Sequence, residues 1–328
     1  MNDNKHGYKA YDPDLVCRGY QYEEGKTYKK NGHGVCAGGV THYCVNPFDV
    51  LDYYPLVRDD GKFSEFTTVE AIDEPVTDDN RKFATSTIKI GAKLGFAGFI
   101  KACANFMHEK TIKNMPSDKA DTGNYAQIGS SGNYAKIGSS GDYAKIGSSG
   151  DVAKIGSSGY GTQIGSSGDY AKIGSSGNYA QIGSSGAVAK IGSSGNGAKI
   201  GSSGDYAQIG SSGNYAKIGS SGYGAQIGSS GYGAKIGSSG DVAKIGSSGY
   251  GAQIDIAGND SVGAAVGVGS IIKGAVGNWI TLAEWVYNID KGRYIPVCVK
   301  SAQIDGEIIK ADTWYKLSGG EFIEVADE

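Results

Sequence analysis

One apolar residue recurs at a fixed interval through the middle of the chain. From Ile128 to Ile254 an isoleucine stands at every ninth position, fifteen times without a slip, in a unit that reads GSSG(N/D)YAKI. Tyr, Val or Gly follows the Asn/Asp, and Lys alternates with Gln, whereas the Ile never changes. A flexible Gly/Ser linker has no reason to retain one apolar position. The pattern therefore predicts a folded repeat array over residues 123–254.

Within each unit the side chains alternate as in a short strand. Period-two geometry places Ala144 and Ile146 on one side and Tyr143 and Lys145 on the other. Because a lysine is not accommodated in a dry core, we expect Ala and Ile to point inward. The GSSG segment is expected to supply the corner, because glycine reaches the left-handed backbone region that a tight turn requires.

One strand and one turn cannot close a coil, but two units can. The sequence therefore predicts a mainly β protein whose centre is a parallel β-solenoid, a β-roll of 18 residues per coil from two nonapeptides. About seven and a half coils would stack at ~4.8 Å into a rod of roughly 36 Å. Both ends of such a rod expose strand edges, so the flanking segments should cap it.

The segment before the array divides into two predicted parts. Residues 1–86 are interpreted as an α+β module, in which Asn46-Pro47 marks the start of a helix. Residues 87–122 are interpreted as a capping helix and a linker. The helix is predicted from the three- and four-residue spacing of apolar side chains within residues 88–107.

Residues 255–328 are expected to form irregular final coils and a C-terminal β cap. Turn signals at Asp305-Gly306 and Gly319-Gly320 separate alternating segments and predict two β-hairpins. A membrane span in this region is disfavoured, because Lys273 and several glycines interrupt its apolar stretch.

Composition and charge narrow the class of protein. Gly is 55 of 328 residues and Pro only 6, which fits neither collagen nor a Pro/Gly-rich disordered chain. A net charge of -3 argues against a dedicated nucleic-acid binder. Five Cys are too few for a disulfide framework, and the first residues lack the apolar region of a signal peptide. We therefore expect a cytoplasmic protein without a membrane partner and without a cofactor.

The outward face of the array carries the main candidate binding site. The array holds nine Lys and five Asp, a net charge of +4, so the rest of the chain carries -7. If alternate units share a face, four lysines stack in one column with two tyrosines beside them. The candidate binding residues are Lys136, Lys154, Lys172, Lys190, Tyr134 and Tyr170. The expected partner is an acidic protein or a polyanion, unless Asp151 and Asp169 relieve the repulsion and the column is a solvated face.

The tightest cluster of ligand-type side chains is His33, Cys36, His42 and Cys44. Zinc prefers four N or S donors, and this stretch contains four. The spacing H-x2-C-x5-H-x-C is not a usual zinc-finger arrangement, so the alternative is that the cysteines are small buried apolar residues. Calcium binding of the RTX kind is disfavoured, because the repeat lacks the double glycine of GGxGxDxUx.

Two strings outside the array carry a resemblance to a known family. The N-terminal string KAYDPDLVCRGYQYEEGKTY, followed by CVNPFDVLDYYP, and the C-terminal DGEIIKADTWYKLSGGEF resemble an uncharacterised family associated with bacteriophages and prophages. This chain reads THYC where the family carries a GFHxC-like string. The resemblance implies a phage origin and no established activity.

A second, thinner resemblance concerns the N-terminal module. An Arg-Gly pair early in a strand, then an aromatic-rich motif and paired Tyr, is similar to the opening of ADP-ribosyltransferase folds. The resemblance implies that Arg18 would contact the nucleotide, and it requires a later glutamate, for which Glu65 and Glu70 are the candidates. Neither lies in the Q/E-x-E string of those enzymes.

Together these observations favour a non-enzymatic binding or scaffold protein, a phage-encoded accessory factor in host interaction or in the inhibition of a host defence. The solenoid ends and terminal modules are candidate surfaces for a homo-oligomer. The alternatives are an ADP-ribosyltransferase-like N-terminal domain that acts on host targets, and a rod that binds ice, a glycan or a polyanion.

Overall fold

The computed structural model describes residues 4–32, 34–35, 38–59, 61–110 and 119–326. The protein is mainly β, with 46% strand and 7% helix, and its centre is a parallel β-solenoid of about 9 turns. This confirms the predicted fold class. No helix in these ranges is long and apolar enough to cross a bilayer.

The N-terminal part is a small antiparallel β domain. Its strands are β1 (His6–Tyr11), β2 (Val16–Cys17), β3 (Tyr20–Gln21), β4 (Thr27–Lys29), β5 (Thr41–Cys44), β6 (Glu65–Ala71), β7 (Lys82–Thr85) and β8 (Thr87–Leu94). Six of them form one sheet in the order β4-β8-β6-β1-β5-β7, and β2 and β3 form a separate short pair.

Among the described residues of 1–86 the helical segments are short 3-10 helices, so this part is a small β domain, and the α-helix of the N-terminal part follows it. One 3-10 helix spans Pro13–Leu15 and the other Pro47–Asp52. The helix start at Asn46-Pro47 is real: the Asn46 side-chain oxygen accepts a hydrogen bond from the Phe48 N–H at 3.1 Å. The segment ends after six residues, so it never becomes an α-helix.

Residues 88–107, predicted as one helix, are divided between a strand and a helix. In β8 the residues alternate, with Ile88 and Ile90 buried and Lys89 exposed, which is a strand period. The α-helix, α1, spans Phe96–Lys110 and follows Gly95. Because β8 pairs with β4 and β6, the N-terminal sheet extends past residue 86.

The solenoid consists of four-residue strands that begin at the Lys or Gln of each unit. The strand β9 is Lys119–Asp121. The strands β10 to β23 are Gln127–Ser130, Lys136–Ser139, Lys145–Ser148, Lys154–Ser157, Gln163–Ser166, Lys172–Ser175, Gln181–Ser184, Lys190–Ser193, Lys199–Ser202, Gln208–Ser211, Lys217–Ser220, Gln226–Ser229, Lys235–Ser238 and Lys244–Ser247.

Alternate strands lie in two facing sheets, as the 18-residue coil predicts. Equivalent residues 18 positions apart pair in parallel register, for example Ile137 with Ile155 and Ile146 with Ile164. We call the sheet of β10, β12 and the following even strands the covered sheet, because the N-terminal domain packs on it. The sheet of β11, β13 and the following odd strands is the open sheet.

The interior of the solenoid is as predicted. Every isoleucine of the array is at most 4% exposed, and from Ala135 onward each alanine that precedes the Lys or Gln of a unit is at most 1% exposed. One exception to alanine, Thr162, is also buried, and its hydroxyl accepts a hydrogen bond from the Ser157 hydroxyl at 2.9 Å. The inward assignment of Ala and Ile is confirmed.

The corner, in contrast, differs from the prediction. The left-handed residue is the Tyr, Val or Gly that follows the Asn/Asp, with φ of 62° at Tyr134 and 58° at Val152. The glycines of GSSG have another role. A Cβ on Gly195 would overlap the carbonyl oxygen of Gly177 in the preceding coil, so the second glycine is required by close stacking rather than by its φ.

The coils continue beyond the array and end in two hairpins. The last strands are β24 (Gln253–Ile256), β25 (Val262–Ala265), β26 (Ile271–Gly274), β27 (Trp279–Asn288), β28 (Arg293–Gln303), β29 (Trp314–Ser318) and β30 (Glu321–Val325). The nine-residue strand spacing persists to Ile271, so these coils are more regular than predicted. The β27–β28 hairpin extends the open sheet and the β29–β30 hairpin the covered sheet. The turn at Gly319-Gly320 is confirmed, whereas Asp305-Gly306 lies between the two hairpins.

Candidate binding site

Both sheets present the same outer surface, a column of Lys or Gln beside a column of glycines. These glycines follow the isoleucine of each unit, and because they lack side chains they leave a trough along the rod. The covered trough has the floor Gly129, Gly147, Gly165, Gly183, Gly201, Gly219 and Gly237. The open trough has the floor Gly138, Gly156, Gly174, Gly192, Gly210, Gly228 and Gly246.

The covered trough is occupied by α1, which lies along the side of the rod and not over its end as a cap. A Cβ on Gly147 would lie 2.9 Å from the Met107 side chain, and one on Gly201 would lie 2.8 Å from the Phe96 ring. On its other side the helix packs on the N-terminal sheet, where the rings of Phe66 and Phe99 stack with centroids 3.7 Å apart. The helix shares a buried cluster with the N-terminal sheet and at the same time lies against the glycines of the covered trough.

Acidic residues of the N-terminal domain contact the Lys/Gln column of the covered sheet. Asp49, which is 4% exposed, forms ion pairs with the buried Lys145 and, at 3.2 Å, with Arg81. The Gln163 side-chain amide donates to Asp52 at 3.2 Å. Each contact satisfies a polar group that the packing removes from water.

A third ion pair lies at the edge of this interface. Asp59 contacts Lys217, and the hydrogen bond from Lys217 lowers the pKa of the Asp59 carboxyl below its ordinary value. Burial, together with repulsion from Lys217, lowers the pKa of Lys199. Two lysines of the covered Lys/Gln column, Lys145 and Lys217, are therefore paired with carboxylates, whereas Lys199 lies where its charge is disfavoured.

The open trough has no such occupant among the described residues. A Cβ on any glycine of its floor would meet nothing within 4 Å. The trough and its walls form an open groove of about 1620 Å³ that runs from Ala120 to Val262. The Lys/Gln column forms one wall of the groove. On the opposite side the glycine floor is bounded by the serines of the turns.

The four candidate lysines lie in this wall in direct register. Lys136 pairs with Lys154, Lys154 with Lys172, and Lys172 with Lys190 in successive parallel strands. All four side chains are exposed. Within the described ranges, no ion pair joins Lys154, Lys172 or Lys190 to a carboxylate.

The carboxylates proposed to relieve this column are used elsewhere. Asp151 accepts a hydrogen bond from the Asp169 N–H at 3.0 Å, and Asp169 accepts one from the Ala187 N–H at 2.8 Å. The side-chain oxygen of Asn133 likewise accepts a hydrogen bond from the Asp151 N–H. Asn and Asp side chains therefore form a ladder of hydrogen bonds that joins successive turns. The aspartates therefore stabilise the corner, and either Asn or Asp suffices because only a side-chain oxygen is needed.

The two candidate tyrosines lie at the turn that leads into the open sheet, but they do not form a stack. Val152 stands between Tyr134 and Tyr170 in that column. A continuous row of tyrosine ring contacts, which the sequence analysis missed, lies on the opposite edge of the rod, with ring centroids 5.2 to 5.6 Å apart. It consists of Tyr125, Tyr143, Tyr160 and Tyr179. Aligning the units with an 18-residue period would have found it, because Tyr occupies the fifth or sixth position in nearly all units of that edge.

A cavity of about 520 Å³ lies in the N-terminal domain. Arg18, His42 and Cys44 all line it, so candidates from separate motifs meet there. Three further cations, Lys9, Lys30 and Lys82, also line it, and none of its described lining residues is acidic. This balance of charge suits an anionic ligand.

The glutamates required by the transferase resemblance lie away from that cavity. Glu65 accepts a hydrogen bond from the Leu15 N–H at 3.0 Å and forms an ion pair with Lys93 at 2.8 Å. Glu70 lies opposite His6 in the β1–β6 pair. Neither lines the cavity that Arg18 lines.

The structure describes half of the candidate zinc cluster. His33 and Cys36 lie outside the described residues. The His42 Nε2 lies 2.6 Å from the Val35 carbonyl oxygen, and burial lowers the pKa of His42. Burial also raises the pKa of the Cys44 thiol to about 12, which favours the thiol over the thiolate that zinc requires. Within the described ranges, no three His, Cys, Asp or Glu side chains are grouped for a metal ion.

The fold and its two troughs define a β-solenoid repeat protein with an N-terminal β domain docked on one face. Residues 5–102 match the family model of a domain of unknown function, DUF7666. This match agrees with the predicted resemblance to an uncharacterised family, and it ends within α1, at the contact with the solenoid. No curated protein and no solved structure match the chain.

Proposed function

We propose that the protein is a non-enzymatic binding or scaffold protein, in which the open sheet binds an acidic protein or another polyanion. The observation that carries this proposal is the column of Lys136, Lys154, Lys172 and Lys190, in register on a sheet face that nothing covers within the described residues. Like charges about 5 Å apart repel, so an anionic partner would be favoured there.

The contrast with the covered sheet supports the choice of an acidic partner. There the same column meets Asp49 and Asp59, and both form ion pairs with lysines. The chain itself thus covers one Lys/Gln column with carboxylates and leaves the equivalent column exposed.

A titration of the full chain with fluorescent polyglutamate tests the proposal. We expect binding that weakens steeply with salt, and that is lost when the four lysines are changed to Gln, a residue the array already carries at this position. Changing Lys29, Lys235, Lys291 and Lys316 to Gln removes the same charge without altering the open Lys/Gln column and is the control. Equal binding by both quadruple variants would contradict the proposal.

In its finer form the proposal is a phage-encoded accessory factor that acts in the host cytoplasm, in host interaction or against a host defence. The resemblance of the terminal strings supports this form. A pull-down from the native host, with wild type and the quadruple lysine variant side by side, tests it: a host protein that only wild type retains is expected.

The N-terminal cavity supports a second candidate function, the binding of a small anionic ligand by Arg18 and its neighbouring lysines. Its transferase form predicts that label moves from labelled NAD to host proteins and that Arg18→Ala abolishes the transfer, whereas Arg293→Ala on the exposed hairpin does not. Absence of transferred label would leave this domain without transferase activity, and direct titration with a nucleoside diphosphate then tests binding alone.

A further inference from the structure

The covered trough shows what kind of element fits a glycine floor of this solenoid. Four residues of α1 lie over four successive coils: Met107 over Gly147, Cys103 over Gly165, Ile100 over Gly183 and Phe96 over Gly201. Their spacing along the helix is four, three and four residues. The helix therefore places one apolar side chain over each coil.

This match follows from two general dimensions. Eleven residues of α-helix advance by about 16.5 Å, and three coil spacings of a parallel sheet advance by about 14.4 Å. The advance of the helix and the advance of the coils therefore differ by only about 2 Å over four coils, and side-chain rotamers absorb this difference. A helix along the rod axis with an apolar stripe at i, i+4, i+7 and i+11 is thus complementary to the floor.

The open trough has the same floor and no occupant within the described residues. Its strands read Lys/Gln-Ile-Gly-Ser, as on the covered sheet, and its seven glycines have the same 18-residue spacing. Folding alone does not require glycine there, because a Cβ would meet nothing within 4 Å and a glycine weakens the interior of a strand. A glycine floor is useful where another backbone or helix approaches closely.

We propose that the open trough binds an amphipathic α-helix of a partner protein, which lies along the rod with its apolar stripe on the glycine floor and acidic residues on the flank that faces Lys154, Lys172 and Lys190. The proposal rests on the proposed function and adds the partner's secondary structure and orientation. The acidic flank follows from charge complementarity, since on the covered side Asp49 is the group that meets Lys145.

The test uses the full chain and a designed fluorescent peptide of about 15 residues. The peptide carries the stripe Phe, Ile, Ala, Met at positions 1, 5, 8 and 12 and Glu at the adjacent positions 2, 6, 9 and 13. A control peptide has the same composition in an order that destroys the stripe. Fluorescence anisotropy measures affinity, and circular dichroism measures whether the bound peptide is helical.

Two variants separate the trough from the lysines. Gly174→Leu with Gly192→Leu fills the floor at positions where the fold has room, and Lys154, Lys172 and Lys190 to Gln removes the charge. We expect the striped peptide to bind as a helix, to lose about tenfold or more in affinity when the floor is filled, and to lose its salt dependence when the lysines are removed.

The other outcomes overturn the inference in distinguishable ways. If the shuffled peptide or polyglutamate binds as tightly as the striped one, the lysine column binds anions and the proposed function stands, but the helix site does not exist. If neither peptide nor polyglutamate binds, both fail. If light scattering shows a dimer that the filled floor dissociates, the occupant is a second copy of this chain and not a partner helix.

Discussion

The covered and open sheets are made from one nonapeptide, yet they have different surroundings. Inside the rod they are equivalent, since Ile191 of the open sheet and Ile200 of the covered sheet are both buried in one core. Outside, Gly201 lies against Phe96 while Gly192 faces open space. The difference therefore comes from what the rest of the chain places on each face and not from the sequence of the sheets.

This comparison shows how a repeat creates more binding surface than one domain uses. A solenoid built from near-identical units presents the same trough on both sheets, because each unit carries the same outward Lys/Gln and glycine. The N-terminal domain uses one trough through α1. The second keeps the same glycine floor, although a side chain would fit at each of its glycines.

The largest expected effect concerns the interior, where the two sheets should not differ. Ile191→Asp and Ile200→Asp each place an unpaired carboxylate in the core, and each should lower the free energy of unfolding by about 4 kcal/mol or more. Urea denaturation measures it, with Lys190→Gln as the nearly silent control. A clear difference between the two aspartate variants would mean that the sheets do not share one core.

A smaller loss of stability is expected at the trough floors, where the covered and open sheets should differ. Gly201→Val should destabilise by about 3 kcal/mol, because its side chain would overlap the rings of Phe96 and Phe63. Gly192→Val should change stability by no more than about 0.5 kcal/mol, since valine suits a strand and space is free. Thermal melts of the two variants measure the contrast. Equal melting temperatures would show that α1 does not occupy the covered trough.

The array could be predicted because its signals are local and repeated fifteen times. The invariant isoleucine and the period-two alternation specify the inward face, and the unit length specifies the coil. The corner was assigned to the wrong residue because glycine has two uses that a sequence does not separate. Tyr134 adopts the left-handed φ, while the neighbouring glycines allow close stacking between coils.

The site could be predicted only in part, because it depends on which face the N-terminal domain covers. The register of Lys154, Lys172 and Lys190 follows from the 18-residue coil. That α1 would lie along the trough instead of capping the end follows from contacts between Phe96 and Gly201, 105 positions apart in the chain. Such long-range packing leaves no local pattern in the sequence.

The lysine columns allow a third comparison between the faces. Lys145→Gln leaves Asp49 buried with Arg81 alone, and we expect a loss of about 1 to 2 kcal/mol in the free energy of unfolding, less than for a fully isolated charge because Arg81 remains. Lys154→Gln, at the adjacent unit of the open sheet, should have no measurable effect. Urea denaturation of both variants tests this, and equal losses would contradict the assigned ion pair.

The smallest expected effect is at the edge of the covered face, where Asp59 contacts Lys217. Asp59 is exposed, so solvent screens the pair and Asp59→Asn should cost no more than about 0.5 kcal/mol at neutral pH and low salt.

Lys217 lowers the pKa of Asp59 from its ordinary value of 3.8, so the contribution of the pair is present above that value and is lost as pH falls through the lower folded-state pKa. Melting curves of wild type and Asp59→Asn should therefore differ at pH 7, and they should converge in strong salt and once the pH falls below the lowered pKa of Asp59. Asp169→Asn is the matched control, because it retains the side-chain oxygen that accepts the Ala187 N–H and belongs to no ion pair in the described part of the chain. A difference for Asp59→Asn that persisted in strong salt would show that its cost arises from packing against the covered sheet and not from charge.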